Sequence, residues 1–179
     1  MEHAPETIIA FWRDAGPTKW FAKDDTFDAE LRTRYLDAHH AAARREHEDL
    51  MDSANGALAL ILLLDQVPRN VFRDSGHAFA TDPLARQYAE RAIAAGFDRE
   101  VDAALRIFVY LPLEHSEALA DQDRCVQLVN AMGDALYLKY AEAHRDVIHR
   151  FGRFPPRNRC LGRENTPEEQ AWLDAGGGF

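Results

Sequence analysis

Three short stretches of this chain concentrate the side chains that could do chemistry. The first, Tyr110-Leu111-Pro112-Leu113-Glu114-His115-Ser116-Glu117, gathers two carboxylates, an imidazole and a hydroxyl after a proline. A helix end that presents Glu114 and His115 together suits general acid–base work, because an imidazole and a carboxylate trade protons near neutral pH. The second, Asp65-Gln66-Val67-Pro68-Arg69-Asn70 with Arg73 a turn later, follows directly on the most apolar run of the chain. Arg69 and Asn70 there could hold a carboxylate or phosphate, which guanidinium binds through two parallel hydrogen bonds. The alternative is structural: Asp65 and Gln66 lie at the rim of a core, and buried polar groups must be paired.

The third stretch is the most distinctive. From His144 to Arg163 there are six arginines and one acid, Asp146, a local charge of +5 in a chain whose net charge is −9. Arg153, Arg157, Asn158 and Arg163 are interleaved with Phe151, Phe154, Pro155, Pro156 and Leu161, with Gly152 and Gly162 at turns. Arginine among aromatic rings can hold a planar anion. A solvated charge run would not carry so many apolar residues, so the segment is expected to pack against something. Its arginines then either line a groove or pair with Asp65, Glu114 and Glu117 in a closed network. The chain has 18 Arg and only 3 Lys, a bias that lowers the weight of any single arginine.

Other chemistries are poorly served. His144 and His149 are five residues apart, off a shared helical face, and no His-Glu-x-x-His or paired-cysteine pattern is present, so neither metal nor cofactor is expected. Cys125 and Cys160 cannot form a disulfide framework. There is no phosphate-binding glycine loop, no G-x-S-x-G elbow and no dinucleotide fingerprint. The acidic balance argues against nucleic acid and anionic membrane surfaces. The longest apolar run, Ala57 to Leu64, is eight residues, whereas a membrane span needs about twenty. Met1 to Glu6 lack the charge and apolar run of a secretory signal. These features, with two unpaired cysteines, lead to the expectation of a cytoplasmic protein.

The elements that must position these residues read as helices. At 179 residues, 46% of them apolar, the chain suits a single domain over residues 1–179 with flexible ends at 1–3 and 175–179. The spacing predicts a short helix from Pro5 to Gly16 and a connection carrying Trp20 and Phe21. A long helix capped by Asp25 or Thr26 follows, then a buried one from Ser53 that Pro68 should stop or kink. Thr81 should cap a fourth that ends at Gly96, and a fifth should run from about Glu100 to Pro112. A sixth is expected from Glu117 to Met132 and a seventh from Asp134 to Arg150, each ended by glycine. Thr166-Pro167-Glu168-Glu169 has the composition of an eighth helix start. No alternating β-branched run appears. The fold class is therefore all-α, with seven or eight helices as antiparallel hairpins in an α-solenoid or bundle.

Taken together, the motifs resemble those of the bacterial family called domain of unknown function 924. They are Phe11-Trp12, Trp20-Phe21, Gly56 to Ala59 running into Leu64-Asp65-Gln66 and Pro68-Arg69-Asn70, Tyr110-Leu111-Pro112 with Glu114 to Glu117, and Arg150 to Pro155 through Arg157-Asn158, Leu161-Gly162-Arg163 and Thr166 to Glu169. The resemblance implies an all-helical, tetratricopeptide-like fold and no established activity. Two departures stand out: Val67 where the family usually has an aromatic residue, and Pro156 where a histidine usually precedes Arg-Asn. The loss of that histidine weakens the case for proton transfer in the arginine-rich segment.

Three functions compete. The first is a helical binding module that holds a small anionic ligand or a peptide carboxylate among Asp65, Gln66, Arg69, Asn70, Glu114, His115, Arg153, Arg157, Asn158 and Arg163. The second is a hydrolase or transferase on an anionic substrate with Glu114 or His115 as acid–base. The third is a protein-interaction scaffold whose arginine–acid network is purely structural.

Overall fold

The computed structural model of the chain describes residues 5–178, with side chains from Thr7 onward. Every regular element among them is helical. The expected flexibility at residues 1–3 and 179 lies outside the described residues. The chain divides into two compact units, Met1–Arg73 with His77–Pro112, and Asp74–Gly76 with Leu113–Phe179.

The first unit is built on α1 (Pro5–Ala15), α2 (Pro17–Trp20), α3 (Asp25–Ala43) and α4 (Ala54–Ile61). Trp20, expected in a connection, closes the short α2, and its indole N–H donates to the Trp12 carbonyl at 2.6 Å. Phe108 meets both indoles edge-on, at 5.6 and 5.0 Å between centroids, a favourable packing for buried rings. The cap of α3 falls one residue earlier than expected: Asp24 accepts the amides of Thr26 and Phe27. From Gly56 to Ile61 helix α4 is buried on every side, as its apolar run predicts. It approaches the preceding turn so closely that a Cβ on Gly56 would lie 2.0 Å from the Leu50 carbonyl oxygen.

Pro68 does not stop the buried helix. Residues Leu62–Gln66 widen into a π turn, in which the Val67 amide bonds to the Leu62 carbonyl, and the chain continues as α5 (Val67–Val71). Such a turn inserts one residue and releases carbonyls from the regular ladder, and proline offers no N–H to replace the lost bonds. Side chains satisfy the released groups. His39 Nδ1 donates to Leu63 O at 2.8 Å, Thr81 Oγ1 to Leu64 O at 2.5 Å, Arg69 to Asp65 O at 2.6 Å, and Asn70 to Gln66 O at 2.9 Å. Burial lowers the His39 pKa, against the opposing pull of the Leu63 carbonyl, and the neutral ring donates its Nδ1 proton. Thr81 therefore spends its hydroxyl on α4's continuation instead of capping α6 (Asp82–Ala95), as expected from sequence. The predicted helix from Glu100 begins only at Ile107 as α7 (Ile107–Glu114), and it carries Pro112 inside rather than ending there.

The second unit contains α8 (Leu119–Met132), α9 (Ala135–Phe151) and α10 (Pro167–Asp174). Gly133, in the left-handed region at φ 77°, ends α8, and Asp134 at once caps α9 through the Leu136 and Tyr137 amides. This two-residue link folds the helices into a hairpin. Gly152, at φ 69°, ends α9. A tight turn at Pro155–Arg157 then leads to Thr166, whose hydroxyl takes the Glu169 amide while the Glu169 carboxylate takes the Thr166 amide. That reciprocal cap is what Thr-Pro-Glu-Glu predicts. Val147, Ile148 and Phe154 form this unit's apolar centre, with Phe151 and Trp172 against it. Beyond α10, Gly176 and Gly177 donate to the Leu173 and Trp172 carbonyls.

Candidate functional site

Each arginine-rich motif is closed by acids of its own unit. In the first unit Arg69 makes two bonds of 2.9 Å to Asp82 and a third contact, 3.1 Å, to Asp65. Burial works against the Arg69 charge, but Asp65 and Asp82 outweigh it and raise its pKa. Gln66 donates to Asp65 at 2.5 Å. Arg73 pairs with Asp28 and donates to Asn70 at 2.8 Å. The carboxylates of Asp28 and Asp82, the main partners here, lie far from these arginines in sequence.

The second unit repeats the pattern. Arg163 takes Glu117 in bidentate fashion at 2.7 and 2.9 Å, and the Phe154 amide donates to the same carboxylate at 2.8 Å. Burial tends to raise the Glu117 pKa, but the Arg163 and Phe154 hydrogen bonds and the charges of Arg163 and Arg157 bring it below its ordinary value. Arg153 is bidentate to Glu169 at 2.6 and 2.7 Å and also donates to the Glu164 carbonyl at 2.8 Å. Asn158, 1% exposed, accepts from Arg163 at 2.8 Å and donates to Asn165 at 2.8 Å. Arg153, Asn158 and Arg163 thus fasten the segment between α9 and α10.

Glu169 carries the larger electrostatic consequence. The Arg153 bonds, against burial and with help from the Thr166 amide, push its pKa down to about 2 from an ordinary 4.5. A folded pKa below the unfolded one gives stability that is present above pH 4.5 and lost as pH falls toward 2. In urea unfolding curves taken across that range, Glu169→Gln should be less stable than the native chain at neutral pH. The two curves should converge on acidification. Parallel curves at all pH values would show that the ion pair contributes nothing.

Glu114, His115 and Arg157 are placed differently. Gln122, fully buried on α8, donates to the carbonyls of Glu114 (2.5 Å) and Ser116 (2.7 Å) and so fixes the turn after α7. The Ser116 hydroxyl is engaged with Asp121 at 2.5 Å and with the Ala118 amide, which makes it a helix-start residue. The Glu114 side chain, only 6% exposed, faces His144 of α9, with Oε1 3.4 Å from Nδ1. The same Nδ1 lies 2.8 Å from the Tyr140 carbonyl. The Cys125 thiol is 4.0 Å from Glu114, and burial first, then that carboxylate, raises its pKa. The His115 ring stands 6.5 Å from that of His144. On the other side, Phe154 meets His144 edge-on at 5.7 Å and carries the Arg157 guanidinium over its face at 4.5 Å.

The sequence placed Glu114, His115 and Arg157 among the candidates and missed His144, which it weighed only as a metal ligand paired with His149. Its partner comes from another element, so helical spacing could not reveal it. Among the described residues no group of three or more His, Cys, Asp or Glu side chains is placed to hold a metal ion. None of their helices is long and apolar enough to cross a membrane.

The comparisons agree with this geometry's all-helical frame. The family described as bacterial protein of unknown function, DUF924, matches residues 8–177. The chain belongs to the DUF924 family. The solved structure of a protein of unknown function from Agrobacterium tumefaciens is similar to it, with 52% identity, a TM-score of 0.93, and 96% of this chain and 97% of that one covered. No curated protein matches the chain. Of the two positions where the resemblance led another residue to be expected, Val67 is fully buried behind the π turn and Pro156 is exposed.

Proposed function

We propose that this DUF924 protein is a binding module for a small anionic ligand, held in the second unit by Arg157, His115 and His144 beside the buried Glu114. The observation that carries the reading is the shared Phe154 ring, which bears a guanidinium on its face and an imidazole at its edge. A guanidinium and an imidazole on one aromatic ring gather positive charge at one place, which favours a carboxylate or phosphate there. Arg69, Arg153 and Arg163, bidentate to acids, act as architecture in this reading.

A peptide carboxylate is the second form of the ligand. Leu136 and Tyr140, 61% and 49% exposed, precede His144 at four-residue intervals on α9. That face would offer apolar contact to residues next to a bound chain terminus. The tetratricopeptide-like stacking of hairpins belongs to this proposal, with α8 and α9 as one such pair. So does a cytoplasmic setting, which suits Cys125 and Cys160 being outside any disulfide.

Thermal unfolding with inorganic phosphate, succinate and a short free-acid peptide tests the reading. At a hundredfold excess over Kd a specific ligand stabilises by about 2.7 kcal/mol, a rise in Tm of about 5–11 °C for a chain of this size. Arg157→Ala should remove the rise. No rise with any of the three, or a rise that Arg157→Ala leaves intact, would sink the proposal.

A further inference from the structure

In the first unit, α1, α2 and α3 enclose a cavity of about 480 Å³, within the range of about 300–1,000 Å³ typical of small-molecule sites. Ala10 and Phe11 stand four and three residues before Asp14 on α1, so the three share the helix face that lines it. Phe27, Glu30 and Arg34 line it from one face of α3 in the same way, and Lys19 comes from α2. The Tyr35 hydroxyl, donating to the Thr7 carbonyl at 3.1 Å, ties α3 to α1. The apolar part of the wall is a ring stack. Phe11 and Phe27 lie parallel to within 4°, 5.4 Å between centroids, a favourable offset arrangement. A cation stands at each ring: Arg34 is 4.7 Å from the centre of Phe11, and Lys19 is 5.8 Å from that of Phe27.

The charges of the wall select the ligand. Lys19 and Arg34 are balanced by Asp14 and Glu30, so the lining has no net charge. Arg34 and Glu30 answer each other, with Nη1 3.0 Å from Oε1. Lys19 and Asp14 are exposed, and among the described residues neither is in an ion pair. A ligand of one sign gains from one of these two and is repelled by the other, whereas a ligand carrying both signs gains from both. We infer that this cavity binds a small zwitterion with an apolar body, of the amino-acid or dipeptide class. Lys19 takes the carboxylate, Asp14 takes the ammonium, and Ala10 with the Phe11–Phe27 stack receives the side chain. The site lies wholly in the first unit and stands independently of the anion-binding reading for the second.

The test is a titration of the full chain, followed in nitrogen-15 amide spectra, with L-phenylalanine and with the dipeptide alanylphenylalanine. Saturable shifts in α1, α2 and the first half of α3 are expected, and the tighter of the two ligands tells a free amino acid from a peptide. 3-Phenylpropionate lacks the ammonium and 2-phenylethylamine lacks the carboxylate, so each should bind about two- to fivefold more weakly than phenylalanine, the scale of an exposed ion pair. These comparisons use the native chain and involve no folding defect. Lys19→Gln should abolish the preference for phenylalanine over 2-phenylethylamine and keep that over 3-phenylpropionate; Asp14→Asn should do the converse. Ala10 is exposed, so Ala10→Trp should fill the cavity and abolish the shifts while Tm stays near the native value. No saturable shift with either zwitterion would overturn the inference, as would analogues that bind as tightly as phenylalanine. Variants at Lys19 and Asp14 that keep both preferences would overturn the assignment of the two charges, and binding that Ala10→Trp leaves intact would overturn the location.

Discussion

Replacing Arg69 with alanine is expected to cost about 3–5 kcal/mol, the usual penalty for breaking a buried ion pair from one side. For a chain of this length that is a fall in Tm of about 6–20 °C. The substitution leaves the Asp65 and Asp82 side chains, 0% and 10% exposed, without their cation. It also removes the donor to the Asp65 carbonyl released by the π turn. The variant should carry a distinctive pH signature. Buried carboxylates that lose their partner have folded pKa values above the unfolded ones, so their protonation favours the folded state. The deficit relative to the native chain should therefore shrink as pH falls through the carboxylate range, when measured by urea unfolding at several pH values. Arg69→Lys should recover only part of the loss, since one ammonium cannot reproduce the planar fork to Asp82 while reaching Asp65. A deficit that is small and independent of pH would mean that the two carboxylates are not held by Arg69.

Glu117→Ala is the second substitution expected to act strongly, and its effect should be local. It removes both bonds of Arg163 and the acceptor of the Phe154 amide. Leaving a partly buried guanidinium and a backbone donor unmatched costs about 2–3 kcal/mol. Hydrogen exchange is the informative measurement, because opening of a single segment shows there without global unfolding. The Phe154 amide should exchange about 10–100-fold faster, each 1.4 kcal/mol being a factor of ten. Amides of α3 and α4, in the first unit, should be unaffected. Uniform acceleration across both units would show that Glu117 supports the whole fold and not the segment after α9.

These two networks mark where the sequence was legible and where it was not. Helix existence could be read from local signals: the apolar run of α4, the glycines after α8 and α9, and the Thr-Pro-Glu-Glu start of α10 each act within a few residues. The prolines were harder to read, because their effect depends on partners elsewhere. Pro68 sits inside a continuing helix only because His39 and Thr81, distant in sequence, satisfy the Leu63 and Leu64 carbonyls. The arginines posed the same difficulty. That they would pair with acids followed from the apolar residues among them: Glu117 takes Arg163 as expected, while Asp65 takes Arg69 of its own stretch and not an arginine of the C-terminal segment. Asp82, Asp28 and Glu169 come from helix starts whose capping chemistry gave no hint of a second role. The Thr166 cap holds the Glu169 carboxylate where Arg153 reaches it, so one side chain ends up in both a local and a long-range bond.

The candidate site was half visible. Pro156, where the resemblance led a histidine to be expected, argued against proton transfer near Arg157, and residues 154–163 hold no histidine. The imidazole comes instead from α9, about two turns before that helix ends, and its carboxylate from the end of α7. Only the hairpin geometry brings His144 to Glu114, so no spacing rule could have paired them.

The central proposal is a division of labour in which Arg69, Arg153 and Arg163 serve the fold and Arg157, His115 and His144 meet a ligand. Nitrogen-15 spectra of arginine Nε and histidine ring atoms, recorded as inorganic phosphate is added, test it residue by residue. Saturable movement of the Arg157, His115 and His144 signals, with Arg69, Arg153 and Arg163 unmoved, is the predicted result. Movement at Arg153 or Arg163 with Arg157 and His144 still would contradict the account.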